Sequence, residues 1–146
     1  MCYSIYLSTD SDQVLSAHPS ELFLFRRPND EEAREVRALL AYPNIWYLSS
    51  RYGGCSCHYR HLLYESASLG FGEPVEWFSE DLDDIESTEA VHDLFSEFVV
   101  RGVKIDLVDL WGNEAVDEFE QITVSLHSVP RNAFRFFEGY RFELVP

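Results

Sequence analysis

The chain has 146 residues, 46% of them hydrophobic, which is enough for one globular domain that needs no disulfide or metal to hold it together. Its 26 acidic side chains outnumber 11 basic ones, leaving a formal charge of −15. That balance excludes a dedicated binder of naked nucleic acid or of an anionic membrane, both of which rely on a basic surface. The aromatic content (11 Phe, 8 Tyr and 3 Trp) excludes a disordered acidic chain.

Period and punctuation predict the elements in chain order. Cys2 to Leu7 reads as a strand, Ser11 to His18 as a short helix stopped by Pro19, and Glu21 to Arg26 as a short strand. A helix is predicted after Asn29. That residue can cap it, and Asp30, Glu31 and Glu32 suit the positive end of the helix dipole. Ala33, Val36, Leu39 and Leu40 give it an apolar face, and Pro43-Asn44 ends it before a strand at Ile45 to Ser49.

After a turn at Gly53-Gly54, the alternation from Cys55 to Tyr64 predicts another strand. From Val75 to Ile85 a helical face competes with an unbroken run of like charge. The next helix is predicted to start at a Ser87 or Thr88 cap. Val91, Leu94, Phe95, Phe98 and Val99 form its stripe, and Gly102 sits where a left-handed C-terminal residue is wanted. Strands follow at Lys104 to Leu110 and Gln121 to His127. Residues 130–139 read either as a short aromatic helix or as a hairpin turning at Glu138-Gly139, before a last strand at Tyr140 to Val145. Strands and helices come without regular alternation, which predicts a single α+β domain over residues 1–146: a mostly antiparallel or mixed sheet with two to three packed helices.

Three cysteines, no positive segment before Arg26, and no charge-free run longer than Ala38 to Ser50 predict a cytoplasmic protein with no membrane span. Cys2 would act as an N-terminal nucleophile only after loss of Met1. The sequence that follows it reads as a strand, which favours a packed side chain.

The densest cluster of reactive groups is Gly53-Gly54-Cys55-Ser56-Cys57-His58-Tyr59-Arg60-His61. Cys55, Cys57, His58 and His61 are ligand types that zinc or another thiophilic metal selects, and Cys2 would complete such a site if the first strand lay beside this segment. In a regular strand Cys55 and Cys57 would face one side and His58 and Arg60 the other, so one ion could not collect both thiols and His58. Arg51, His58 and Arg60 would lower a nearby thiol pKa, which makes thiol–redox chemistry the companion reading. The alternative to both is that the cysteines are small core side chains, with His58 and Arg60 in solvent. Neither Gly53-Gly54 nor Gly70-Phe71-Gly72 is a phosphate loop, and no hydrolase or metalloprotease motif occurs, which favours a binding protein over an enzyme.

Charge is uneven. Residues 73–146 carry a net −13, and Glu73 to Glu97 holds ten acids and no Lys or Arg. A solvated face built on Glu76, Trp77, Phe78, Glu80, Asp81, Asp83 and Asp84 would steer a basic protein partner and give it aromatic anchors. Binding to such a partner through residues 73–97, with no cofactor required, is therefore the first functional expectation. A metal-binding or thiol-redox site at Cys55-Ser56-Cys57-His58 is the second.

Overall fold

The computed structural model describes residues 2–18, 20–73, 80–112 and 119–146. Strands β1 (Tyr3–Thr9), β2 (Phe23–Arg26), β3 (Asn44–Ser50), β5 (Ile105–Trp111), β6 (Glu120–Ser125) and β8 (Tyr140–Val145) form one six-stranded sheet in the order β2-β3-β1-β5-β8-β6. All neighbours are antiparallel except β6 and β8. A parallel pair of two-residue strands, β4 (His61–Leu62) and β7 (Phe136–Phe137), lies apart from it. Two α-helices, α1 (Asp30–Arg37) and α2 (Leu82–Val100), complete the α+β architecture. Among the described residues no helix is long and apolar enough to cross a membrane.

The sheet is covered on both faces because its central strands are apolar on both. Ile5, Leu7, Trp46, Leu48, Ile105, Leu107, Phe142 and Leu144 pack with the α2 stripe of Val91, Leu94, Phe95, Phe98 and Val99 in the larger core. Tyr6, Ile45, Tyr47 and Val108 turn the other way and meet Val36 and Leu40, at and just beyond α1. Each fully buried side chain of this size contributes about 1.5–3 kcal/mol of transfer free energy, so α2, with five of them, is the principal clasp on the sheet.

The helix ends follow local chemistry. At α1 the Asn29 side chain accepts from the Glu32 backbone N–H while the Glu32 carboxylate accepts from that of Asn29, a reciprocal capping box. At the end of α2, Gly102 has φ +87; its N–H donates to Val99 O and that of Val103 to Phe98 O. That pair of bonds needs a left-handed residue, which glycine supplies without a Cβ penalty.

Four sequence expectations are corrected. First, α2 begins at Leu82 rather than at a Ser87 or Thr88 cap. The carboxylates of Asp83 and Asp84 suit its first turn, and the two hydroxyls are buried in tertiary bonds instead. Second, the strand expected over Cys55–Tyr64 is a loop that becomes strand only at His61–Leu62. Third, residues 130–139 form neither a helix nor a hairpin. Phe136 and Glu138 send their backbone N–H groups to Arg60 O and Leu62 O, so β7 pairs with β4. Fourth, the helix expected at Ser11–His18 is a single 3₁₀ turn at Leu15–Ala17. Of the ambiguous stretch from Val75 to Ile85, residues 75–79 lie outside the described residues, as do Glu76, Trp77 and Phe78 of the expected partner face.

Candidate metal centre

The site is built where β1 begins and β3 ends. Leaving β3, the chain reverses through Gly53 and Gly54, both at positive φ (80° and 75°), a conformation that side-chain-bearing residues rarely adopt. Ser49 Oγ donates to Gly54 O and Ser50 Oγ to Gly53 O, which ties the turn to the strand. The returning segment then meets β1: the Ser56 N–H donates to Tyr3 O at 3.0 Å, and Ser56 Oγ accepts from the Ile5 N–H at 2.9 Å while donating to Leu48 O. Ser56 is fully buried and fills with its hydroxyl the place of a missing ladder bond between β1 and β3.

That plug orients its neighbours. With Ser56 directed into the sheet, the thiols of Cys55 and Cys57 turn together to the opposite side, and Cys2, just ahead of β1, joins them. The three Sγ atoms lie within 4.8 Å of one another. Cys55 Sγ and Cys57 Sγ are hydrogen-bonded at 3.1 Å, and the Tyr3 N–H donates to Cys57 Sγ at 3.3 Å. Cys2 is exposed and the other two are half-buried, so the cluster is reachable from solvent.

Burial opposes ionisation of both inner thiols, but they settle differently. At Cys55 the burial penalty is outweighed by hydrogen bonds from the thiols of Cys57 and Cys2 and from backbone N–H groups, so its pKa is lowered. At Cys57 burial and its hydrogen bond to Cys55 push the pKa up to about 12. The two thiols are therefore inequivalent: loss of a proton is favoured at Cys55 and opposed at Cys57.

Behind the sulfurs stands a buried dyad. His61 Nδ1 lies 2.6 Å from Asp109 Oδ2, and Nε2 lies 2.7 Å from the Ser56 carbonyl oxygen. A carbonyl can only accept, so Nε2 carries a proton, and a second proton is shared between Nδ1 and Asp109. Asp109 is fully buried, and among the described residues its Oδ1 has no hydrogen-bond partner. Burial raises its pKa while His61 pulls the other way. The Tyr3 ring stacks on His61 at 3.8 Å and 6°. Through Ser56 O the dyad grips the residue between the two inner cysteines.

The structure separates the sequence-derived ligand set. Cys55 and Cys57 meet each other and Cys2. His58 is half-exposed, with Nδ1 3.7 Å from Asp84 Oδ1 and its ring 5.0 Å from that of Tyr52. His61 has both nitrogens engaged as described. Arg60, expected in solvent, is buried: Nε donates to Glu80 Oε2 at 2.5 Å, and its remaining nitrogens reach Glu80 Oε1 and the carbonyls of Gly72, Asn132 and Phe134. Arg135 closes on the same carboxylate at 2.7 Å.

Glu80, expected on a solvated acidic face, is thus a buried carboxylate only 5% exposed between two guanidiniums. Burial would raise its pKa, but the two arginines outweigh that and lower it. Asp81 and Asp83 are exposed. Asp84 is half-buried; burial, then the charge of Asp81, raise its pKa.

Asp109 was not singled out from sequence. Its signal is there in retrospect: Ile-Asp-Leu-Val-Asp-Leu-Trp carries two carboxylates in an otherwise apolar strand, and such groups are buried only with partners. The other, Asp106, accepts from Ser8 Oγ, the Ala41 N–H and Arg141 on the α1 side of the sheet. No family model, curated protein or solved structure matches this chain.

Proposed function

We propose that the protein binds a thiophilic d¹⁰ metal ion, Cu(I) or Zn(II), through Cys2, Cys55 and Cys57. The observation that carries this reading is the convergence of three thiols within 4.8 Å from two separate chain segments. Thiolates about 2.3 Å from a zinc ion stand roughly 3.8 Å apart when tetrahedral; the Cys55–Cys57 edge is 3.1 Å and all three edges already lie within 4.8 Å, so the triangle needs little adjustment to take an ion. Soft thiolates select such ions over hard ones, and the N–H···S bond from Tyr3 is the kind of outer contact that tunes a metal thiolate. On Zn(II), three protein ligands leave a fourth coordination position open, which suits an ion that is exchanged or acted through rather than one that only holds the fold.

The test is an anaerobic titration of the reduced full chain with Cu(I) and with Zn(II) against a competing chelator. One equivalent binds, and Cys57→Ser lowers affinity by more than about 100-fold while the circular dichroism is unchanged. Binding that is absent, or equal in the parent and the variant, overturns the reading. A second reading, association with a basic protein, is supported by exposed Asp81, Asp83 and Glu86 at the start of α2. It requires an affinity that falls as salt rises, and salt-independent binding would end it.

A further inference from the structure

We propose that the same cluster, free of metal, is a thiol–disulfide exchange centre for small disulfides, with Cys55 the attacking thiolate and Cys57 the resolving thiol. The proposal rests on the cysteine cluster being the functional site, but not on its holding an ion. Geometry carries it. The two sulfurs stand 3.1 Å apart on one side of a three-residue stretch whose middle residue is anchored at N–H, carbonyl and side chain alike. The resolving sulfur is therefore already beside the sulfur it must attack, and little loop ordering remains to be done.

Roles follow from how each sulfur is held. The Tyr3 N–H holds Cys57 Sγ in place at 3.3 Å, directly beside Cys55, which makes Cys57 the fixed, resolving sulfur and leaves Cys55, as the thiolate, to meet the disulfide. Cys55 S⁻ attacks one sulfur of a small disulfide R–S–S–R. The S–S bond breaks, a mixed disulfide Cys55–S–S–R forms, and RS⁻ leaves. RS⁻ takes the proton of Cys57. The resulting thiolate attacks the Cys55 sulfur, forms Cys55–S–S–Cys57 and expels a second RS⁻. One external disulfide is reduced to two thiols, two protein thiols are oxidised to one disulfide, and the single negative charge is conserved.

Cys2 gives the cluster its third property. It remains a thiol within reach of both oxidised sulfurs. Oxidation leaves one of three donors, so the dithiol state can hold a thiophilic ion and the disulfide state cannot.

The experiment equilibrates the reduced, chelator-treated full chain in glutathione buffers of increasing oxidised fraction, quenches with an alkylating agent, and maps the linkages by mass spectrometry. The parent chain goes from three alkylated thiols to one, and the mapped link is Cys55–Cys57. Cys57→Ser accumulates a single glutathione adduct on Cys55. Cys55→Ser reacts with the disulfide at least about tenfold more slowly than the parent. Three alkylated thiols at every ratio, a link that uses Cys2, or an adduct on Cys2 in place of Cys55 would overturn the assignment. The mapping on the parent chain decides even if a variant fails to fold. Metal titration of the same reduced sample is read separately, so loss of exchange and loss of ion binding are distinct results.

Discussion

Two ionisable clusters share one loop, three residues apart, and behave in opposite ways. In the first, Arg60, Glu80 and Arg135 are withdrawn from water and Glu80 is held by both arginines; every Arg60 nitrogen has an acceptor, several of them backbone carbonyls. In the second, Cys2, Cys55 and Cys57 bring their thiols within 4.8 Å of one another, stay open to solvent and have sulfur lone pairs to spare. Both draw on distant parts of the chain, so convergence alone does not mark a site. What separates scaffold from site is whether the polar groups are already satisfied by the protein itself.

The largest test of that contrast is on the scaffold side. Glu80→Gln leaves two guanidiniums buried without their shared counter-charge, and breaking a buried pair in this way costs about 3–5 kcal/mol. Urea unfolding reads it; a loss below about 1 kcal/mol would mean that the carboxylate is not the centre of the cluster. Next comes the link between the two clusters' surroundings and the sulfurs. His61→Gln removes the imidazole that holds Ser56 O, and a lost outer-shell contact of this kind lowers metal affinity by about 10–100-fold. Unchanged affinity would show that Ser56 is fixed without the dyad.

The smallest effect is pH dependence. Cys57 must lose its proton to ligate, and its pKa is pushed up to about 12, so below that value ion affinity rises about tenfold per pH unit for that one proton. A flat profile between neutral and mildly alkaline pH would place the ion elsewhere.

Locally encoded features were legible. Asn29 with Glu32, and the Val91-to-Val99 stripe closed by Gly102, announce helices because caps and periodicity depend on residues a few positions apart. The alternation read as a strand over Cys55–Tyr64 survives only across Cys55, Ser56 and Cys57. It goes no further because, among the described residues, β1 makes a backbone–backbone bond to this segment only at Ser56, its remaining strand partners being β3 and β5. Residues 130–139 fitted a helix or a hairpin by local pattern, but Phe136 and Phe137 pair with His61 and Leu62, far away in sequence. Glu80 looked solvated because like-charged neighbours surround it, while its partners Arg60 and Arg135 lie 20 and 55 residues away.

The sequence by itself determined an α+β chain with its two helices, most of its strands and a cysteine pair at a glycine turn. These follow from propensity, period and capping, which act over one or two turns of chain. Only the tertiary structure decided that Cys2 joins that pair, that His58 and His61 stand apart from it, that Asp109 backs it, and that Glu80 belongs to the core. Each of those outcomes depends on which segments the sheet brings side by side. That is fixed by long-range burial and hydrogen bonding, which no local pattern records.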